Sequence, residues 1–349
     1  MTQPQAQTAG AGAGTESGGQ SAPPAGGSGG GRTIPKVSGD RVAQLGPLIA
    51  LVLACVFFTT QSEQFLEPAN FSLIIQQVMV VGTLAIGQTL IILTAGIDLS
   101  CGTAMALGSV VMTKLAVDSN VPPVLAILLG IATCAAIGFL NGGLVVGLSL
   151  PPFIVTLGTF SIALALTHIY SKDKTISSLP SVMTKLGETF KIGGTAVTYG
   201  SLVALGLFAL TWFVLKQTTW GGRVYALGDN PEATRLMGIP VKRQLLMVYV
   251  VAGVIYGIAA LLLVARTGVG DPNAGQTDNL DAITAVVLGG TSLFGGRGTI
   301  IGTLIGALII GVVRNGLVLM GVASNYQILI TGILVIVAVS VDQIARKRG

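Results

Sequence analysis

The fold is decided by residues 119–171, SNVPPVLAILLGIATCAAIGFLNGGLVVGLSLPPFIVTLGTFSIALALTHIYS, which contain no Lys, Arg, Asp or Glu. A helix needs about 20 mostly apolar residues to cross a hydrocarbon core of roughly 30 Å, so this run is long enough for two crossings. The proline pair at 151 and 152 offers the break between them. The run therefore predicts two consecutive membrane-spanning helices.

Other charge-free runs recur along a chain that is 51% hydrophobic and only 9% charged. Because these runs are continuous, and a membrane barrel needs short alternating strands, they favour helices. The predicted fold is an all-α, polytopic membrane helix bundle over residues 41–345. Its ten membrane-embedded segments are 43–60, 72–94, 101–117, 124–148, 152–171, 198–216, 244–265, 281–294, 299–320 and 326–341. The eighth is short and rich in glycine, which is typical of a re-entrant segment or a half-helix.

Positive charges predict the orientation of the bundle, since Lys and Arg are enriched on the cytoplasmic side of membrane proteins. They precede the first segment at positions 32, 36 and 41 and follow the last at positions 346–348. Both termini are therefore predicted to be cytoplasmic, which ten crossings satisfy. The predicted external loops are 172–197 and 266–281, although lysines in the first of them run against this rule.

Residues 1–40 are dominated by Gly, Ala, Ser and Pro and carry few bulky apolar side chains. Such a composition cannot bury enough apolar surface to fold, so this segment is predicted to be a disordered cytoplasmic tail. It lacks a basic stretch followed by an apolar stretch, which argues against a cleavable signal peptide.

The sequence GDNPEATRLMGIPV, residues 228–241, lies in the predicted cytoplasmic loop 217–243 and has the signals of a very short helix. Asp229 or Asn230 can accept hydrogen bonds from free N–H groups as the N-cap, and Pro231 suits the first helical position. Gly238 is placed for the left-handed conformation that ends many helices. We expect a helix of about seven residues here.

A helix this short is marginal in water, so it has to be held by packing. Ala233, Leu236 and Met237 would share one face of it. Two interpretations are open: a surface helix that only links two spans, and a docking helix for a cytoplasmic subunit. The predicted docking segment consists of Asp229, Asn230, Pro231, Glu232, Ala233, Thr234, Arg235 and Gly238.

Two charged residues lie beside or within apolar runs. Asp98 is a functional candidate because a carboxylate in a bilayer is costly, but it can also cap the helix predicted to start near Leu99. Arg314 can extend to an interface or line a polar pathway. Neutral polar side chains would suit a hydroxyl-rich, uncharged solute, although each is also a common helix–helix contact. The candidate path residues are Asp98, Asn141, Phe153, Thr156, Thr159, Asn273, Gln276 and Arg314.

The sequence does not favour an enzymatic function, because no Ser/His/Asp set, HExxH or paired-cysteine motif is present. We therefore expect no catalytic residue, no metal site and no cofactor bound by this chain. Residues 289–299, GGTSLFGGRGT, lack the lysine of a Walker A loop. The net charge of +5 comes from residues at span ends and in loops, so nucleic acid is not an expected partner.

Several stretches resemble the membrane permease subunits of ABC importers for monosaccharides, of the ribose-permease type. These stretches are LTAGIDLSCGTAMALG (93–108), LPPFIVTLGTF (150–160), ALGDNPEATRLMGIPV (226–241), DPNAGQTDNLDAITAVVLGGTSLFGGRGTIIGTLIGALIIG (271–311) and NGLVLMGVASNYQILITGILVIVAVSVD (315–342). The resemblance covers about residues 42–345. The same family includes branched-chain amino-acid permeases, which look similar in outline.

The resemblance implies import of a monosaccharide across a bacterial inner membrane. The implied partners are a cytoplasmic ATP-binding subunit that hydrolyses the ATP, an extracytoplasmic sugar-binding protein, a second permease subunit in a homodimer, and membrane lipid. A short cytoplasmic helix of such permeases fits a groove in the ATPase, a role that falls here on Asn230, Glu232, Ala233 and Gly238. Thr234 departs from the importer pattern, which has alanine at that position.

One alternative function is a branched-chain amino-acid ABC permease. The other is a secondary transporter or channel for a small polar solute. It would need ion ligands or a proton relay inside the membrane, and only Asp98, His168 and Arg314 could serve.

Overall fold

The structure is a computed structural model that describes residues 39–192 and 194–348, so residues 1–38 of the predicted tail lie outside the described residues. The helices are α1 (Gly39–Gln61), α2 (Pro68–Leu93), α3 (Cys101–Val117), α4 (Pro123–Gly147), α5 (Pro152–Ser171), α6 (Ser181–Thr184), α7 (Tyr199–Gln217), α8 (Thr219–Asp229), α9 (Pro231–Leu236), α10 (Val241–Thr267), α11 (Asp278–Leu288), α12 (Ile300–Leu319) and α13 (Ser324–Arg348). Strands β1 (Thr189–Ile192) and β2 (Thr195–Thr198) form an antiparallel hairpin. Single 3-10 turns occupy Glu63–Leu66 and Lys185–Gly187.

Within the described residues, six helices are long and apolar enough to cross a membrane, namely α2, α4, α5, α7, α10 and α12. Shorter apolar helical stretches are Gly46–Gln61, Cys101–Val117 and Ser324–Val337. Large apolar side chains such as Leu128, Phe139 and Ile169 are exposed on the outside, whereas Gln88, Thr89 and Thr303 are completely buried. This distribution is the reverse of that in a water-soluble protein. The chain is a helical, multi-pass membrane protein.

Two predicted loops contain elements that the sequence analysis missed. The single turn α6, strand β1 and all but the last residue of β2 lie within loop 172–197, so the fold is mostly helical but not all-α. Loop 217–243 contains α8 as well as the expected short helix α9. The strands escaped notice because each has only four residues and pairs only with the other, which leaves no long alternating pattern.

The eighth predicted segment, 281–294, is a half-helix. Helix α11 has 11 residues, which at 1.5 Å per residue is about 16 Å and roughly half of a membrane crossing. It begins earlier than predicted, at Asp278, and residues 289–299 are irregular. Four glycines in this irregular stretch, at 290, 295, 296 and 298, have positive φ angles that other residues adopt only with strain.

Contacts between loops define two ends of the bundle. At the end that carries α9, the N–H of Gly296 donates to the carbonyl of Leu93 (3.0 Å), and the Tyr225 hydroxyl donates to Gly298 (3.0 Å). At the opposite, hairpin end, Ser72 donates to the carbonyl of Ala196, and residues 176 and 270 form an isolated β-bridge. Helices α2 and α10 run between these two ends.

The order of elements is repeated, with opposite direction, in α2–α5 and α10–α13. Each set has a long helix, a non-helical break, a shorter helix and two further helices. Helix α3 packs on α4, α5 and α10, and α11 correspondingly packs on α12, α13 and α2. The dipeptide Asn-Gly occurs at residues 141–142 of α4 and 315–316 of α12, which are corresponding helices of the two sets. Inverted repeats of this kind are common in transporters.

The two shorter helices meet inside the bundle at their N-termini. A Cβ added to Gly102 would collide with the carbonyl oxygen of Gly275, and one added to Gly275 would be 2.6 Å from the carbonyl oxygen of Gly102. Only glycine allows the two backbones to approach this closely, and Gly275 also has a positive φ of 74°. The glycine pair therefore fixes the spacing between α3 and α11.

We predict that Gly102→Ala lowers the thermal unfolding midpoint of the detergent-solubilised protein. The added methyl group meets backbone rather than a flexible side chain, and such overpacking costs about 1–3 kcal/mol. Gly143→Ala in α4 is the matched control, because nothing lies within 4 Å of a Cβ there. Equal midpoints for the two variants would contradict the close approach.

Candidate functional site

Helix α9 is a capped helix of six residues on the surface of the bundle. Asn230 is its N-cap, and the side-chain oxygen of Asn230 accepts from the N–H of Ala233 (2.9 Å). Pro231 occupies the first helical position, and Gly238 has the left-handed φ of 78°. The structure thus gives the cap to Asn230, while Asp229 ends α8. The predicted local structure is confirmed.

Thr234 attaches α9 to α8. Its hydroxyl lies 2.8 Å from the carbonyl oxygens of both Ala226 and Asn230, and the residue is only 1% exposed. An alanine at this position would keep the helix but lose the hydrogen bond to α8. The departure from the importer pattern therefore adds an anchor for a helix that is too short to be stable alone.

The opposite surface of α9 is open. Leu236 is 78% and Met237 67% exposed at the end of the helix, where they extend away from the bundle. Glu232 forms an ion pair with Arg235 (2.6 Å), and this guanidinium lowers the pKa of the Glu232 carboxyl through a hydrogen bond and its charge. An apolar tip next to charged residues is a surface suited to a protein partner.

The break between α2 and α3, residues 94–100, is non-helical chain in the interior, and several of its polar groups are paired. Oriented to satisfy both groups, the Gln88 amide donates to the Asp98 carbonyl (3.1 Å) and accepts from its N–H (3.2 Å). The carbonyl of Ile97 accepts from the Thr156 hydroxyl (3.0 Å), and that of Leu99 accepts from the Asn279 amide (3.1 Å). Side chains of α2, α5 and α11 therefore hold the break.

Asp98 is buried in this break, with 1% exposure. Its carboxylate accepts from the N–H (2.7 Å) and the hydroxyl (2.6 Å) of Ser100. The expected role as N-cap of α3 is wrong in position, because the helix begins at Cys101 and Ser100 is its N-cap. The Gln88 amide pairs with the backbone of Asp98, which leaves Asp98 in the non-helical break, and α3 begins at Cys101, where the predicted segment 101–117 also begins.

The candidate path residues fall into separate places. Asn141 is buried and donates to the Ser100 hydroxyl (2.9 Å), so it belongs to the break, as Thr156 does. Thr159 is buried and bonds only to carbonyls of its own helix (3.2 Å), while Phe153 is half exposed on the outer surface. The structure does not bring these residues to one channel, and a role for them in solute passage stays a prediction.

Asn273, Gln276 and Arg314 do come together, at a cavity of about 410 Å³ between α2, α10, α12 and the start of α11. We call this space the polar cavity. Its polar lining consists of Gln77, Arg266, Thr267, Asp271, Asn273, Gln276, Thr277, Asp278 and Arg314. Valine, alanine and isoleucine side chains of α2 and α12 complete the wall.

An ion pair connects α11 to α12 at the edge of the polar cavity. Nη1 of Arg314 lies 2.9 Å from Oδ2 of Asp281 and 3.9 Å from Oδ1 of Asp278. The carboxylate of Asp281 is 6% exposed and that of Asp278 16%, whereas the arginine side chain is 45% exposed. Of the two roles expected for Arg314, this geometry favours the lining of a polar space.

Sequence reasoning missed Asp278 and Asp281, because it assigned them to an external loop. Their spacing of three residues could have indicated one face of a helix, since residues three apart are neighbours on a helix. It could not have indicated Arg314 as the partner, because the contact depends on how α11 packs against α12.

Comparison with known proteins gives a family match over most of the chain. Residues 70–339 match the family described as branched-chain amino acid transport system / permease component. The matched region contains the non-helical residues 94–100 and 268–277, helix α9 and every residue of the polar cavity.

Individual relatives are similar over nearly their whole length. The chain is 46% identical to the fructose import permease protein FrcC of Rhizobium meliloti, over 86% of this chain and 85% of the relative. It is 41% identical to the ribose import permease protein RbsC of Bacillus subtilis, over 87% and 94%. It is 35% identical to the D-allose transport system permease protein AlsC of Escherichia coli, over 86% and 91%.

We predict that Arg314→Gln destabilises the protein by about 2 kcal/mol, because it leaves the buried Asp281 carboxylate without its nearest cation. This loss of stability is at the low end for buried ion pairs, because about half of the Arg314 side chain is exposed. Adding Asp281→Asn should recover most of the loss, which thermal unfolding of the single and double variants in detergent would measure. Strictly additive effects would contradict the pairing.

Proposed function

This chain belongs to the family of branched-chain amino acid transport system permease components, and from that premise we propose that it is the membrane subunit of an ATP-driven importer for a monosaccharide. The observation that carries the choice of solute is the identity of 46% and 41% to proteins named for fructose and ribose import. A polar cavity within the bundle supports a hydroxyl-rich solute rather than a fully apolar one.

The importer has ten crossings and places both termini in the cytoplasm of a bacterium, in its inner membrane. Two of the crossings are discontinuous: residues 94–117 and 268–288 each combine non-helical chain with a shorter helix. Lys and Arg residues before α1 and at the end of α13 support this orientation. The end with α9 is then cytoplasmic, and the hairpin end is external.

ATP is hydrolysed by a separate cytoplasmic subunit that receives α9 in a groove, and this chain binds no cofactor. The open apolar tip formed by Leu236 and Met237 supports this docking role. The sugar-binding protein meets loops 172–197 and 266–281, which lie together at the hairpin end because residues 176 and 270 are paired. A second copy of the chain completes the permease.

The proposal is tested by sugar uptake into vesicles that contain the full chain together with its co-purifying subunits. Uptake of D-ribose or D-fructose is expected to require ATP and a bound ATPase subunit. Uptake that persists without any ATPase, driven by an ion gradient, would instead establish the secondary transporter. The interior groups it would need are already engaged, Asp98 by Ser100 and Arg314 by Asp281.

We predict that Gly238→Val uncouples ATP hydrolysis from uptake while membrane insertion is retained. Nothing lies within 4 Å of a Cβ at this position, so the effect comes only from the left-handed backbone that ends α9. Gly222→Val in α8 is the control, since that glycine also has open space around it but no positive φ. Normal sugar uptake per ATP in Gly238→Val would argue against docking through α9.

A further inference from the structure

The polar cavity holds charged groups that the Arg314–Asp281 ion pair does not use. Resting on the proposed function, we propose that it is a sugar-binding site inside the permease, in which Asp278 accepts hydrogen bonds from sugar hydroxyls and Arg266 and Arg314 donate to sugar oxygens. The argument proceeds from the size of the cavity, its unused groups and its place in the fold.

The size of the cavity suits a small solute. Its volume of about 410 Å³ falls in the lower part of the range of roughly 300–1,000 Å³ that is usual for small-molecule sites. Such sites combine apolar walls with a few placed polar groups. Here Val78, Val81 and Ile310 form apolar wall, and the polar groups are concentrated around the start of α11.

Asp278 is the acceptor with spare capacity. The Asp281 carboxylate lies 2.9 Å from Nη1 of Arg314, whereas the Asp278 carboxylate lies 3.9 Å from the same nitrogen. Among the described residues, no side chain or backbone N–H donates a hydrogen bond to the Asp278 carboxylate. A largely buried carboxylate without donors is costly, so its retention favours a ligand that supplies them. Two adjacent hydroxyls of a sugar can donate to its two oxygens.

The hydrogen-bond donors of the cavity lie on α10 and α12. Arg266 lies in the last turn of α10, lines the cavity and has no carboxylate within 4.0 Å among residues 39–192 and 194–348. Arg314 is held by Asp281, so the remaining N–H groups of its guanidinium can reach a ligand. Hydroxyl groups both donate and accept, so a sugar satisfies the carboxylate and the guanidinium groups at once. Charge-assisted hydrogen bonds of this kind are about twice as strong as neutral ones.

The position of the cavity matches a transport path. Asp278 follows Gly275 by three residues, and Gly275 packs against Gly102 in the interior. Thr113, close to Gly270 at the hairpin end, is 11 residues along α3 from Gly102, or about 16 Å at 1.5 Å per residue. The site therefore lies well inside the bundle, beside a discontinuous helix, where transporters commonly place their ligands.

The experiment compares sugar transported per ATP hydrolysed in proteoliposomes that contain the full chain with its co-purifying ATP-binding and sugar-binding subunits, with D-ribose and D-fructose as probes. Asp278→Asn should lower this ratio about tenfold or more for the sugar that is transported, because a charged acceptor is lost. Stimulation of the ATPase by the loaded binding protein should persist. Asp118→Asn, at an exposed carboxylate that follows α3, should behave as the unchanged protein.

Two further variants keep the outcome decisive if Asp278→Asn fails to insert. Asp278→Glu keeps the charge and should retain part of the transport, and Arg266→Gln, in α10, should lower the ratio as Asp278→Asn does. An unchanged ratio in Arg266→Gln and Asp278→Asn would overturn the sugar site and leave the proposed function intact. If Arg266→Gln and Asp278→Asn each lose ATPase stimulation together with uptake, the two residues have a structural role. That result would also overturn the sugar site.

A competition assay distinguishes a sugar ligand from a zwitterionic one, because a zwitterion could also bind to a carboxylate and a guanidinium. Excess L-leucine should leave D-ribose or D-fructose uptake unchanged. Inhibition by leucine that disappears in Asp278→Asn would overturn the sugar assignment. If the unchanged protein shows no ATP-dependent uptake of any sugar, the proposed function itself has failed, and that result is distinct from the others.

Discussion

The constraint on which the structure depends is that backbone polar groups inside a bilayer must find partners within the protein. A continuous helix meets this requirement by itself, but residues 94–100 and 268–277 are not helical. In the first break, Gln88, Thr156 and Asn279 supply the missing partners from three different helices. These polar side chains are therefore buried at contacts between helices, and the bundle can assemble around non-helical chain without leaving its backbone unpaired.

The breaks also explain where the charged residues lie. A charge on a lipid-facing surface would be costly, so Asp278, Asp281 and Arg314 are grouped where a helix begins within the bundle. The second break leaves room beside α11, and this room is the polar cavity. The close approach of Gly102 to Gly275 keeps the two half-helices together, so the cavity is bounded by a fixed wall on one side.

Much of the architecture follows from the sequence because the signals are local. Charge-free runs locate the long helices, and Asn230, Pro231 and Gly238 define α9 through their own backbone preferences. The half-helix character of the eighth segment was also predicted, whereas its start at Asp278, the hydrogen bond of Thr234 to Ala226 and the pairing of Arg314 with Asp281 could not be. Each of these depends on how separate elements of the chain pack against one another.

The contacts at the α9 end join the surface helix to two elements that also border the polar cavity. The Thr234 hydroxyl joins α9 to α8, and in the last turn of α8 a Cβ at Gly228 would collide with the carbonyl of Leu93. Gly296 packs on Asp229 and bonds to Leu93, and the stretch 289–298 continues directly from α11. The contacts of Gly228 and Gly296 with Leu93 are between backbones, which leaves little side-chain freedom at these points. They connect the α8–α9 segment to the end of α2 and to the stretch after α11, and both of these helices also contribute residues to the polar cavity.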